Sequence, residues 1–196
     1  MLSPHKKTKM IEDLKNYKKA YLDTQYVDLD ESATRVMVNH LLTDVLGYKM
    51  IEEIKTEYMI RGTYADYVIQ IKGKRLFLIE VKALPLELSV KHLREAINYA
   101  AQEGIGWVVL TNARKLELYR IIFDKPTDCV RFFSLDLADV EQFKENIERL
   151  QYLHRDCIIK TDLEKFWNKH SSYSDILSQR KNERKDHSSG KPMRRK

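Results

Sequence analysis

The stretch from Thr63 to Ala83, T-Y-A-D-Y-V-I-Q-I-K-G-K-R-L-F-L-I-E-V-K-A, constrains this chain more than any other. Tyr67 to Ile71 and Arg75 to Val81 are β-branched and aromatic runs of strand length, and Lys72-Gly73-Lys74 between them supplies the flexible residue of a tight turn. The spacing predicts a β-hairpin at the centre of a sheet. Side chains alternate across a strand, so Leu76, Leu78, Glu80 and Lys82 share one face, while Phe77, Ile79 and Val81 take the other. Apolar residues on both faces are the pattern of a covered strand. A carboxylate and an ammonium at its end are costly to bury unless paired, solvated or bound to something. In-register pairing brings Asp66, at the opening of the partner strand, to the same end. Asp66, Glu80 and Lys82 are therefore expected to converge. Such a group can hold a hard divalent cation beside an oriented water, or can be a charge network that does nothing else.

The flanking segments give that hairpin a setting. Lysine-rich residues 6–22 carry Ile11, Leu14, Tyr17 and Tyr21 at helical spacing. Asp28 and Asp30 precede a second helix from about Glu31 to Leu46, with Val38, Leu41, Leu42 and Val45 as its stripe and Gly47 as its stop. Glu31 falls in the first turn, where the helix dipole favours an acid. Residues 50–60 read as a strand running into an Arg61-Gly62 turn. A helix is expected from Ser89 to Gln102, with Leu93, Ile97 and Ala100 inward and His92, Glu95 and Tyr99 in a row on a neighbouring face. Strands are expected at 106–111, 115–122 and 130–135, with a turn at Asp124-Lys125-Pro126, and helices at 137–153 and 161–169. The organisation predicted is a basic N-terminal helix (1–27), a core (28–135), C-terminal helices (136–170) and a basic tail without periodicity (171–196).

Charge is unevenly spread. Residues 180–196 hold eight Lys/Arg and two Asp/Glu, so the formal net charge of +6 lies wholly in the tail, and residues 20–179 carry about −4. The basic ends can grip phosphates or simply be solvated. Cys129 and Cys157 form neither a close-spaced metal pattern nor a disulfide framework, so a reducing cytoplasm is the expected setting. No apolar run approaches the roughly 20 residues of a membrane span, and no membrane partner is expected. Six scattered histidines make no zinc site, and these residues contain no G-x-x-x-x-G-K-[ST] phosphate loop.

The order helix, strand, hairpin, helix, strand, strand describes an α/β domain with a mixed sheet. Within it, E-S-A-T-R-V-M-V-N-H-L-L-T-D-V-L-G-Y, then Glu57-Tyr58, A-D-Y-V-I, L-I-E-V-K-A and G-W-V-V-L-T-N-A-R-K-L-E-L-Y-R resemble the restriction-endonuclease-like PD-(D/E)XK nuclease superfamily. More narrowly, they are similar to the N-terminal nuclease domain of type I restriction enzyme R subunits and of predicted type IV restriction proteins. The likeness covers about residues 28–122. It implies a single domain with a restriction-endonuclease-like mixed β-sheet core flanked by helices.

The resemblance further implies that Asp66, Glu80 and the Val81 carbonyl ligate Mg²⁺, with Mn²⁺ as a substitute. Lys82 would position or help deprotonate the attacking water, and Glu31 would be the helix carboxylate near the metal. Glu95 and Tyr99 fall on a Gln-x-x-x-Tyr element that supports the site and contacts nucleic acid, and His92 lies one turn before them. Two positions depart from the pattern: Glu95 replaces the glutamine, and Ala113 stands where a glycine commonly follows Thr-Asn. The implied activity is Mg²⁺-dependent endonucleolytic hydrolysis of DNA in restriction or phage defence. DNA is then the partner, along with a motor or specificity protein or a second copy of the chain. The alternatives are a catalytically weak nucleic-acid-binding or interaction module on the same fold, and a repair or RNA-directed nuclease.

Overall fold

Six strands in the order of the sequence form one mixed sheet in the computed structural model, which describes residues 1–23, 26, 28–60, 63–124 and 127–170, leaving aside the side chains of 58–60, 63 and 64. The expected Arg61-Gly62 turn, the Lys125-Pro126 corner and the basic tail lie outside the described residues. The strands are β1 (Ile54–Ile60), β2 (Thr63–Ile71), β3 (Lys74–Val81), β4 (Trp107–Thr111), β5 (Lys115–Ile122) and β6 (Asp128–Asp136). Every neighbouring pair is antiparallel except β3 and β4, which run parallel because a helical crossover separates them in sequence. The helices are α1 (Pro4–Tyr17), α2 (Glu31–His40), α3 (Met50–Glu53), α4 (Arg94–Glu103), α5 (Phe143–Leu150), α6 (Arg155–Ile159) and α7 (Asp162–His170). The chain is thus an α/β domain with a six-stranded mixed sheet flanked by helices.

The predicted hairpin forms. Lys72 and Gly73 both take positive φ, 51° and 78°, the pair of left-handed residues that matches the twist of the flanking strands. Tyr67 lies opposite Ile79, which sets Asp66 level with Glu80. Phe77, Ile79 and Val81 enter a core built with α1, α2 and the C-terminal helices, while Leu78 enters a second core under α4. Leu76 departs from the expected alternation and packs on the first core. The register shifts between Ile69 and Gln70, whose partners are Phe77 and Arg75, so Leu76 is the extra residue of a β-bulge and turns to the side of Phe77.

Other boundaries also moved. Residues 50–53 are a helical turn rather than the start of a strand, and Glu53 closes that turn by accepting from the Lys49 N–H at 3.1 Å. Val90–Leu93 is a tight 3₁₀ turn before α4. Residues 137–142 are not helical, and α6 adds a helix between the two expected at the C-terminus. Met10, Leu14 and Tyr17 of α1, and Ile147, Leu150, Cys157, Leu163 and Trp167 of the last helices, join the same core as the central strands. Both terminal segments therefore belong to the domain.

Candidate functional site

The rim where β2 opens and β3 ends gathers side chains from three elements. Asp66 comes from β2, Glu80 and Lys82 from β3 and the residue after it, and Glu31 from the first turn of α2. The Val81 N–H donates to Asp66 Oδ2 at 2.8 Å, so one carboxylate oxygen stitches the two strands together at the site. Lys82 Nζ donates to Glu80 Oε1 at 2.6 Å and lies 3.6 Å from Glu31 Oε2. The four residues that the hairpin pattern and the resemblance single out for catalysis are therefore brought together from well-separated parts of the chain. Val81, the implied carbonyl ligand, is fully buried at the end of β3.

Local sequence explains why α2 reaches this rim. Asp30 caps the helix by accepting from the Ala33 N–H at 2.8 Å, which fixes the turn bearing Glu31. Thr34, one turn on, is buried, and its hydroxyl accepts from the Leu84 N–H at 3.0 Å, which clips α2 to the segment following Lys82. From the other side, the Lys82 N–H donates to the Thr111 carbonyl at 2.9 Å, and Asn112 Nδ2 donates to the Leu84 and Leu86 carbonyls at 3.1 and 3.0 Å. The Thr-Asn pair after β4 thus holds the chain that leaves the site. Ala113 comes next with φ 69°, a left-handed conformation that glycine adopts at lower cost.

Sequence reading missed two members of the cluster, Arg35 and Glu57. Arg35 Nη2 pairs with Asp66 Oδ1 and lies 3.3 Å from Glu31 Oε1, and its Nη1 is 3.5 Å from Glu57 Oε1. The only signal was the Glu31 to Arg35 spacing of four, an ordinary helix-surface pair. Glu57 is reached because its own backbone is left-handed at φ 47°, with the β1–β2 pairing passing from Thr56 opposite Tyr67 to Tyr58 opposite Ala65.

Four carboxylates (Glu31, Glu57, Asp66, Glu80) thus face two cations (Arg35, Lys82). Glu80 feels both its partial burial and this imbalance. Burial pushes its carboxyl up to about 7, and Asp66 and Glu31 add to that against the Lys82 hydrogen bond. For Lys82, burial favours the neutral amine, but the hydrogen bond to Glu80 and the charges of Glu80, Glu31 and Asp66 outweigh it, and its pKa is raised. The charged form of Lys82 is thereby favoured.

The donor set suits a hard cation. Its ligating atoms are all oxygens, with neither histidine nor cysteine among them, and the site carries more negative than positive charge. Among the described residues no group of three or more His, Cys, Asp or Glu is arranged to hold an ion. Mg²⁺ asks for less, one or two carboxylates with water completing its shell, which Asp66 and Glu80 can supply.

The remaining predicted residues sit elsewhere. Tyr99 belongs with Leu93, Ala96 and Ala100 to the buried stripe of the α4 segment, and its hydroxyl has no hydrogen-bond partner among the described residues. Glu95 is exposed on the outside of the helix. His92 is spent locally, its Nδ1 accepting from the Ser89 N–H at 3.3 Å to close a capping box. The expected row of three therefore splits between core, surface and cap, and among the described residues no hydrogen bond or ion pair ties it to the acidic rim. Trp107 and Tyr119 are buried in the core. Comparison with protein families, with curated proteins and with solved structures finds nothing that matches this chain. No helix among the described residues is long and apolar enough to cross a membrane.

Proposed function

We propose that this chain is a Mg²⁺-dependent nuclease that hydrolyses DNA phosphodiester bonds endonucleolytically, on a restriction-endonuclease-like core and in a restriction or defence setting. One observation carries the reading: Asp66, Glu80, Lys82 and Glu31 meet at one sheet rim with an excess of negative charge that Lys82 does not cancel. Asp66, Glu80 and the Val81 carbonyl would hold the metal, which would polarise a phosphoryl oxygen and lower the pKa of a bound water. The protein's own part is positional. Asp66 is fixed by the Val81 N–H, Glu80 is oriented by Lys82, and the Lys82 ammonium offers donors to a water or a phosphate oxygen beside them. Mn²⁺ would substitute for Mg²⁺, and a cytoplasmic setting, a DNA partner, and association with a motor or specificity protein or a second copy complete the proposal.

A second reading, a nucleic-acid-binding module of low catalytic power, is favoured by one feature: both oxygens of Asp66 are already engaged, by Arg35 and by the Val81 N–H. Incubation with circular and linear DNA, and with RNA, in Mg²⁺, Mn²⁺ or EDTA separates the readings. The nuclease gives metal-dependent cleavage that EDTA stops and that Asp66→Ala reduces by about three orders of magnitude, on the order of 4 kcal/mol of transition-state stabilisation. Lys82→Arg should retain more activity than Lys82→Ala, and an unimpaired Lys82→Ala protein removes Lys82 from the mechanism. Salt-sensitive binding with no cleavage in any metal establishes the module instead.

A further inference from the structure

The guanidinium of Arg35 is placed oddly for a structural ion pair. It lies among three carboxylates from three elements, Asp66 of β2, Glu31 of α2 and Glu57 of β1, and touches each through a single nitrogen–oxygen contact. Two of those contacts, at 3.3 and 3.5 Å, are long for charge-assisted hydrogen bonds. Its Nε is buried and has no hydrogen-bond partner among the described residues, a donor left unsatisfied in a place where that is costly. Its backbone, by contrast, is fixed, since the buried Tyr67 hydroxyl donates to the Arg35 carbonyl at 3.1 Å. The chain thus anchors the base of this residue, while its head is held closely at Asp66 alone and loosely at Glu31 and Glu57, with Nε unmatched. Glu57 holds a left-handed backbone in a β-strand while its carboxylate reaches the same head, a local conformation that carries strain of its own.

We propose that Arg35 is a displaceable counter-ion: its guanidinium occupies Asp66 Oδ1 in the metal-free protein and must leave that oxygen for a divalent cation to bind. The inference rests on the proposed metal site. A cation and a guanidinium compete for one carboxylate oxygen, and a divalent ion brings twice the charge to it. Arg35 keeps Glu31 and Glu57 as alternative partners on leaving, so its displacement does not strand a charge. Its presence sets the metal concentration at which the site fills. It also spares the metal-free protein four uncompensated carboxylates beside one lysine.

Mn²⁺ binding to the full chain without nucleic acid, read as loss of the free-ion EPR signal, tests this apart from catalysis. Arg35→Gln should bind Mn²⁺ roughly tenfold more tightly than the wild type, and Arg35→Lys, which keeps the charge, should stay near it. Equal or weaker affinity in a folded Arg35→Gln protein overturns the proposal while leaving the metal site standing. Absence of Mn²⁺ binding in both wild type and variant overturns the metal site, and this inference with it. If Arg35→Gln does not fold, the wild type decides: the Nε–Hε NMR signal of Arg35 should move as Mg²⁺ is added, and a signal unchanged at saturating Mg²⁺ overturns the displacement.

Discussion

Carboxylates sit at two ends of the same sheet, one buried and one half-buried, and they are matched in opposite ways. At the hairpin-turn end, Glu53 receives Arg155 Nε at 2.7 and 2.8 Å and Nη2 at 2.7 Å, with the Lys49 N–H completing its shell. The hydrogen bonds from Arg155 outweigh burial, and the Glu53 pKa is lowered. At the rim, Glu80 is half-buried beside Asp66 and Glu31, with Lys82 and Arg35 shared among the three, and its carboxyl is raised to about 7. A forked, one-to-one pair is a device for holding α3 against α6. A cluster with carboxylates to spare is unsatisfied by the protein alone. Charge at a sheet edge alone does not mark a site; the proposed metal site rests on charge that its neighbours leave unmatched.

The matched pair is the one the fold can least do without. Arg155→Ala leaves the Glu53 carboxylate buried and unpaired, and should cost about 3 kcal/mol of stability in urea denaturation. Arg35→Gln, which removes one of two cations from a cluster with several acids, should cost less. A larger loss for Arg35→Gln would make the rim the structural pair and Glu53–Arg155 the ornament.

The isosteric amide at each carboxylate sharpens the contrast through pH, measured in EDTA. Because the folded-state pKa of Glu80 lies above its ordinary 4.5, the folded protein binds a proton more readily than the unfolded chain. The charged form is therefore a penalty, fully present above about pH 7, relieved as pH falls through 7 and gone below 4.5. Glu80→Gln should stabilise the protein at pH 8 by up to about 3 kcal/mol, and that advantage should vanish at low pH. Glu53 has the opposite sign. Its stabilisation is fully present above 4.5 and lost only as pH falls through its lowered pKa, so Glu53→Gln should destabilise at pH 8 by about 2 kcal/mol. Two amides shifting stability in the same direction at pH 8 would end the distinction between the regions.

Legibility in the sequence divides along the same line. Local rules are strong along the hairpin: Lys72-Gly73 turns the chain, Tyr67 meets Ile79, and Phe77, Ile79 and Val81 face one core while Leu78 faces the other. Asp66, Glu80 and Lys82 were legible because they ride on that register, and Glu31 because a resemblance supplied it. Arg35 was not, since its role is decided by β1 and β2 meeting α2, and nothing within four residues distinguishes it from a solvated helix cation. Glu53 was hidden in a segment that reads as a strand; its helical turn is closed by Lys49 and held by a partner 102 residues away. Leu76 was misplaced for want of one bulge, which no alternation rule contains. The row from His92 to Tyr99 split because the buried stripe of α4 runs through Ala96 and Tyr99, small and aromatic residues that the apolar pattern of Leu93, Ile97 and Ala100 left ambiguous.

The smallest expected effect probes how the rim is held rather than what it holds. Helix α2 delivers both Glu31 and Arg35, and its start is fixed by Asp30, whose side chain accepts from the Ala33 N–H at 2.8 Å. Ser3 caps α1 through the Lys6 N–H at 3.5 Å, a longer and weaker bond on a helix that brings nothing to the rim. Asp30→Ala should cost about 1 kcal/mol and Ser3→Ala a few tenths, by thermal or urea unfolding. The two caps differ more in their effect on the metal. Fraying the first turn of α2 frees Glu31 to leave the 3.6 Å contact with Lys82 and loosens Arg35 beyond it, so Asp30→Ala should change Mn²⁺ affinity whereas Ser3→Ala should not. Equal effects of both caps on metal binding would mean that α2 merely packs beside the acidic rim, and that Asp66, Glu80 and Lys82 hold their geometry without it.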